Sequence, residues 1–240
     1  MIQGSTERSL PEGLDGNTGE IRRATEILFE PGYVVELRAF KDRTTASGYF
    51  DDFEELAQEA AKLEGRGLAV YVTLNPAEPA LLARAQNRVK IHPKATTSDA
   101  DVTCRRWLPL DFDPVRPADV SATDEEKEVA LRRAMEVMNY LREQGWPEPV
   151  VGDSGNGTHL LYRVDLPNDR QSLQLVREVL EALAFKFSDD SVSVDTSTCN
   201  AARIWKLYGT TARKGDDTNE RPHRVSRLLK VPEEVEACRP

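Results

Sequence analysis

The sequence predicts an α+β fold, and three observations carry that expectation. Apolar positions recur near every 3.6 residues in some stretches and every second residue in others. The two kinds of stretch mix without strict β-α-β regularity, which suggests a layered domain. The composition, 39% hydrophobic and 30% charged over 240 residues, suits a globular chain able to bury a core without disulfide or metal staples.

The elements follow in order. Residues 1–20 are rich in Gly, Ser, Glu and Asn with no apolar period, and read as a flexible tail. Tyr33 to Phe40 reads as a strand. Phe50, Phe53, Leu56, Ala57, Ala60 and Leu63 mark a helix that Gly65 and Gly67 end. Leu68 to Leu74 is a second strand, stopped by Asn75-Pro76, and Pro79 to Asn87 is a short helix. The polar stretch 91–103 is a loop. Trp107 to Phe112 is a strand in which Pro109 points to an edge or a bulge. Thr123 with Glu126 forms a capping box for a helix running to about Gln144. Pro149 to Gly152 and Thr158 to Val164 are strands around a glycine turn. Asn168 caps a further helix to about Phe187, and Ser191 to Asp195 alternates as a strand. The expected organisation is a tail (1–20), a core (21–228) and a C-terminal extension or linker (229–240).

No apolar run approaches 18 residues, so no membrane-spanning helix is expected. The N-terminus lacks the basic and apolar regions of a signal peptide. Cys104, Cys199 and Cys238 are widely spaced, with no CxxC pair, so neither a disulfide framework nor a zinc site is expected. A reducing cytoplasm is the simplest compartment.

The net charge of −9 argues against a non-specific nucleic-acid coat protein. Residues 200–230 reverse the sign locally. Eight cations there (Arg203, Lys206, Arg213, Lys214, Arg221, Arg224, Arg227, Lys230) face three acids, a local charge of +5. The strip is either an anion-binding face or a solvated segment.

In Trp107-Leu-Pro-Leu-Asp111-Phe-Asp113, the two aspartates are two apart and share one face of a strand. Like charges that close repel unless a cation intervenes, and carboxylate oxygens are the ligands Mg²⁺ and Mn²⁺ prefer. Asp-x-Asp pairs also occur in turns and on solvated edges. Asp195 ends a second strand; laid beside the first, it would complete three carboxylates, enough for two metals and nucleotidyl transfer. Arg116 is near enough to orient the pair or to touch phosphate.

The turn Asp153-Ser154-Gly155-Asn156-Gly157-Thr158-His159 can expose backbone N–H groups to a phosphate, with His159 beside them. It is not a Walker A loop. Its alternative is an ordinary hairpin with a packed histidine. Trp205 and Tyr208, set among the late cations, are either base-stacking surfaces or core residues.

Together these segments resemble the archaeo-eukaryotic primase superfamily, in its primase-polymerase branch of bacteria, phages and plasmids. The resemblance rests on WLPLDFDPVRP, DSGNGTHLLYRVDLPND, VDTSTCNAARIWKLYGTTARKGD and ERPHR, with VYVTLNPAEPALLARAQNR upstream, and covers about residues 33–228. It implies an RRM-like palm sheet with a smaller N-terminal α/β unit. It implies a DNA primase or polymerase acting on a single-stranded DNA template and primer with NTPs or dNTPs. Asp111, Asp113 and Asp195 would bind two divalent ions, Mg²⁺ or Mn²⁺. Ser154, Asn156, Gly157, His159, Arg203 and Lys206 would hold the nucleotide, and Arg213, Lys214, Arg221, His223 and Arg224 would track the nucleic acid.

Two features depart from that pattern. Many relatives carry a zinc element, which the three cysteines with His92 and His223 do not form. Many are fused to a helicase or a C-terminal priming module; with the sequence ending at Pro240, such a module is expected as a separate partner or in a longer chain. Two other functions compete: a non-catalytic single-stranded nucleic-acid-binding module, which gains nothing from gathering acids near phosphate, and a DxD glycosyltransferase, which leaves Asp195 and the late cations unexplained.

Overall fold

The computed structural model describes residues 14–238. Helix α1 (Leu14–Leu28) leads into strands β1 (Val35–Lys41) and β2 (Thr44–Phe50), helix α2 (Phe53–Gly65) and strand β3 (Ala69–Thr73). A 3-10 turn at Pro79–Arg84 precedes the short strand β4 (Lys90–Ile91). Strand β5 (Cys104–Pro114), helix α3 (Asp124–Glu143), strands β6 (Val150–Asp153) and β7 (Thr158–Pro167), helix α4 (Arg170–Phe187) and strand β8 (Val192–Val194) follow. Strands β9 (Ile204–Lys206), β10 (Thr211–Ala212), β11 (Arg224–Val225) and β12 (Arg227–Lys230) complete the chain. No helix among the described residues is long and apolar enough to cross a membrane.

The strands form two five-stranded sheets, ordered β4-β2-β1-β3-β9 and β12-β6-β7-β5-β8, and a β10-β11 ribbon. In the first sheet Leu37, Ala39, Val70 and Val72 face α1 and α2, where Ile21, Ala24, Leu56 and Ala60 meet them in one core. In the second, Leu108, Leu110, Phe112, Leu160 and Tyr162 face α3 and α4 and form another. Alternation then sends Trp107, Asp111 and Asp113 to the opposite face. Trp107 and Leu161 enter the first core from there, which joins the two sheets.

Several expectations are corrected. Residues 14–20 belong to α1 rather than to a tail; Gly16, Asn17 and Gly19 hide the helix, and burial of Ile21, Ala24 and Leu28 supports it. Residues 1–13 lie outside the described residues. Phe50 ends β2 instead of opening α2, and Asp52 is the cap. The β1-β2 hairpin turns at Asp42-Arg43, with Asp42 at φ 51 and no glycine to announce it. Asp169, not Asn168, caps α4; Asn168 donates instead to the carbonyls of Asp99 and Val102. The 229–240 extension is part of the fold as far as it is described. Lys230 pairs with Val151, Val231 and Val235 pack on the first core, and the Cys238 N–H donates to the Arg163 carbonyl.

Pro109 behaves as expected of a local edge. Its carbonyl accepts from the Thr198 hydroxyl, so its nitrogen faces the same side, where β8 covers only Phe112 to Pro114.

Candidate active site

A cavity of about 390 Å³ lies between the two sheets, within the size range of small-molecule sites. The second sheet contributes Asp111, Asp113 and His159. The first contributes Phe40 and Tyr71, and β9 brings Ile204 and Lys206 to its edge. The late strip thus crosses back to pair with β3, with Tyr71 opposite Lys206.

Asp111 stands at the cavity floor, directly across from His159 in the β5-β7 ladder. Burial, with the nearby charges of Asp113 and Asp195, pushes its carboxyl well above the usual range. Its side chain is 19% exposed, yet Oδ1 is sealed from solvent and has no hydrogen-bond partner. Asp113 is more open, with Arg116 Nη1 at 3.4 Å. Arg116 is itself held by the carbonyls of Pro114 and Val120, so it orients Asp113.

Asp195 reaches the site through its backbone: its N–H donates to the Asp111 carbonyl at 2.9 Å. Its carboxylate is engaged elsewhere. Oδ1 accepts from the Ser197 N–H and Oδ2 pairs with Arg203 Nη2, both at 2.8 Å. Arg203 lines the cavity and Asp195 does not. Among the described residues no three His, Cys, Asp or Glu side chains are gathered as an ion-binding group. The expected meeting of three carboxylates is therefore present as an adjacent pair, with the third acid held by an arginine.

His159 is 3% exposed, and burial lowers its pKa to about 3, so the ring is neutral. Its tautomer follows from its neighbours. Trp205 Nε1–H, a donor only, gives its proton to Tyr208 Oη at 3.2 Å. Tyr208 is fully buried with His159 Nδ1 at 2.9 Å as the acceptor open to its hydroxyl among the described contacts, so its proton is assigned to that bond. The ring proton then sits on Nε2, 3.5 Å from Asp111 Oδ1. Trp205 also packs on the imidazole, with centroids 4.0 Å apart. Both aromatics are core residues that fix the histidine. Gly152, opposite His159 on β6, makes this possible: a Cβ there would lie 2.4 Å from Tyr208 Oη.

The glycine turn does not offer its N–H groups to a ligand. Gly155 N–H donates to Asp153, and those of Asn156 and Gly157 donate to Ser154 Oγ. Asn156 Oδ1 accepts from the Ala122 N–H and ties the turn to the approach to α3. Ser154 and Asn156 nonetheless line the cavity. Gly157 is needed because a Cβ would lie 2.3 Å from the Phe112 carbonyl.

Most of the late cations meet acids of the body. Arg213 forks onto Glu64 of α2, Arg221 forks onto Glu126 of the α3 capping box, and Arg224 pairs with Asp124. His223 Nε2 lies 2.9 Å from the Gly215 carbonyl. Lys206 is buried, its ammonium donating to the carbonyls of Val70 and Thr211, and burial lowers its pKa to about 7. These groups clasp the strip to the body instead of forming a free cationic face. Lys214 and Arg227 are exposed and have no acid partner among the described residues, and Lys214 lies at the cavity, where its charge acts on Asp111. Phe40 and Tyr71 escaped the sequence reading, because nothing in a strand's alternation says which other sheet its outer face meets.

No family model matches the sequence, and no curated protein matches it. Among solved structures, the chain is similar to primase RepB' with a TM-score of 0.51 and 13% identity, over 89% of this chain and 56% of that one. A second similarity is to the catalytic domain of primase RepB' in complex with initiator DNA, with a TM-score of 0.49 and 13% identity, over 90% and 85% of the two chains. This chain thus spans little more than half the length of the first. What is shared at this identity is the α+β fold.

Proposed function

We propose that the cavity is the nucleotidyl-transfer site of a DNA primase or primer-extending polymerase that uses a single-stranded template. The observation that carries this reading is Asp111 Oδ1: a buried carboxylate oxygen that makes no hydrogen bond, with only His159 Nε2 at 3.5 Å near it, beside a second acid on the same strand face. Such an atom is costly unless a cation meets it. The similarity in fold to primase RepB' supports the same reading.

The donor set suits hard divalent ions, Mg²⁺ or Mn²⁺, held by Asp111 and Asp113. When bound, such ions would neutralise phosphate charge and activate the attacking hydroxyl. The chain's own groups do the rest. His159, neutral with its proton on Nε2, donates to a triphosphate oxygen. Lys214 adds positive charge at the rim. Phe40 and Tyr71 give a base an apolar wall. An anion drawn to Arg203 would compete with Asp195 for its guanidinium, and Asp195, once released, would serve as the third carboxylate.

A non-catalytic nucleic-acid-binding module is the second reading, favoured by the Asp195–Arg203 pair. Primer extension on a single-stranded template with Mg²⁺ or Mn²⁺ separates the two. Synthesis by the wild type that Asp111→Ala and Asp113→Ala abolish supports the first. Binding without synthesis, indifferent to both changes, supports the second.

A further inference from the structure

The segment from Pro79 to Ser98 holds Arg84, Arg88, Lys90 and Lys94 and no acid. None of these four has a carboxylate within ion-pair distance among the described residues. Arg84 donates to Tyr49 Oη at 3.1 Å and lies over that ring, and Lys90 donates to the Arg84 carbonyl. These contacts position the charges without cancelling them. Glu36 and Asp101 act on Arg84 from a distance, and Glu36 is itself paired with Arg38. Arg88, Lys90 and Lys94 are exposed. A cavity of about 540 Å³ opens among Ser47, Tyr49, Lys90, His92 and Lys94. Its wall is fitted: Gly48 lets the Arg88 backbone lie against β2, where a Cβ would be 2.1 Å from the Arg88 carbonyl.

The register connects this pocket to the candidate active site. Lys90 pairs with Ser47, Ser47 with Arg38, Arg38 with Tyr71, and Tyr71 with Lys206. Directly paired residues share a face of a sheet. These five therefore form one transverse row, one residue per strand, on the face turned away from α1 and α2. Ser47 and Lys90 line the basic pocket at one end, and Tyr71 and Lys206 line the catalytic cavity at the other. The row spans four strand spacings, about 19 Å.

Ser47 and Lys206 are buried and Arg38 is taken by Glu36 and the Thr97 carbonyl, so the row gives a direction and the exposed cations give the contacts. We infer that the single-stranded DNA template runs along this side of the sheet, over the Pro79–Ser98 segment, with its sugar-phosphate backbone held by Arg84, Arg88, Lys90 and Lys94 before the strand enters the cavity. Cations at the far end and the half-buried aromatics Phe40 and Tyr71 at the near end are the combination that binds single strands without base preference. The inference rests on the proposed function for its direction, since the template must arrive where nucleotides are joined.

The test is fluorescence anisotropy of labelled oligothymidylates with the full chain and the triple variant Arg88→Glu, Lys90→Glu, Lys94→Glu, whose positions are all exposed. Binding of a 20-mer should weaken at least tenfold. The slope of log Kd against log salt should fall by about 2, from three lost phosphate contacts at roughly 0.7 each. A dinucleotide, too short to span both ends, should bind the wild type far more weakly than the 20-mer. Unchanged affinity and slope, or no binding of the 20-mer by the wild type, would overturn the inference. So would displacement by polyglutamate as effective as by the same number of DNA phosphates, which would mark a general anion patch. Primer extension run in parallel keeps the two readings apart. Wild-type synthesis with unaltered binding by the triple variant defeats the track alone. Altered binding without synthesis by the wild type defeats the proposed enzyme.

Discussion

Two stretches of this chain are comparably basic in sequence and differ in what the fold does with the charge. In the strip from Arg203 to Lys230, five of the eight cations meet acids of the body: Asp195, Glu64, Glu126, Asp124 and Glu148. In the loop from Arg84 to Lys94 none does. The strip is the more charged in sequence, yet the loop keeps all four of its cations free of ion pairs among the described residues. Local net charge along a sequence locates cations; only the third dimension says whether an acid from another element reaches them first.

The comparison can be broken or sharpened by substitution, and the largest effect is expected where the strip holds up the site. Tyr208→Phe removes the hydroxyl that sets the His159 tautomer. Primer extension should fall about 10–100-fold, as for other groups that orient a functional histidine. ¹⁵N NMR of the imidazole should show the loss of a single Nε2–H form. An unchanged tautomer would mean that Tyr208 only fills space.

Next comes stability. Arg213→Ala leaves the buried Glu64 without its forked partner and should cost about 3 kcal/mol in urea unfolding. Arg88→Ala should stay within about 0.5 kcal/mol, as for an exposed site without a partner. If the two cost the same, the division between clasp and free patch fails.

A smaller effect is expected with pH. Arg221, through its forked hydrogen bonds, holds the Glu126 carboxyl below its ordinary value. A lowered carboxylate pKa stabilises the fold above the unfolded value, near 4.3, and that contribution fades as pH falls through the folded value. The wild type should therefore lose more stability than Arg221→Ala between about pH 5 and 3, by a small margin, since the pair is solvated. Parallel curves for the two proteins would contradict this.

Much of the second sheet was legible from residue pattern because its signals are local. The alternation in Trp107 to Asp113 put two aspartates on one face, and the Thr123–Glu126 capping box announced α3. What stayed hidden depends on distant partners. Strand β9 joins β3 across some 130 residues of sequence, which no local period encodes. Helix α1, with two glycines in its first turns, is held by burial against α2 and not by propensity. The glycine turn looked open to phosphate because its N–H groups are unassigned in sequence, yet Ser154 and Asp153 take them. The backbone of Asp195 does lie beside Asp111, while its carboxylate follows Arg203, a partner eight residues on that a strand pattern cannot orient.

The central claim is that Asp111 and Asp113 form a strained acidic pair made for divalent ions. Thermal melts of the wild type and Asp111→Asn, with and without Mn²⁺, test it most directly. Without metal, the variant should melt higher, because it removes a buried carboxylate that its neighbours oppose. Added Mn²⁺ should raise the wild-type Tm and leave the variant unmoved. A variant that melts lower without metal, or that responds to Mn²⁺ as the wild type does, would contradict the account.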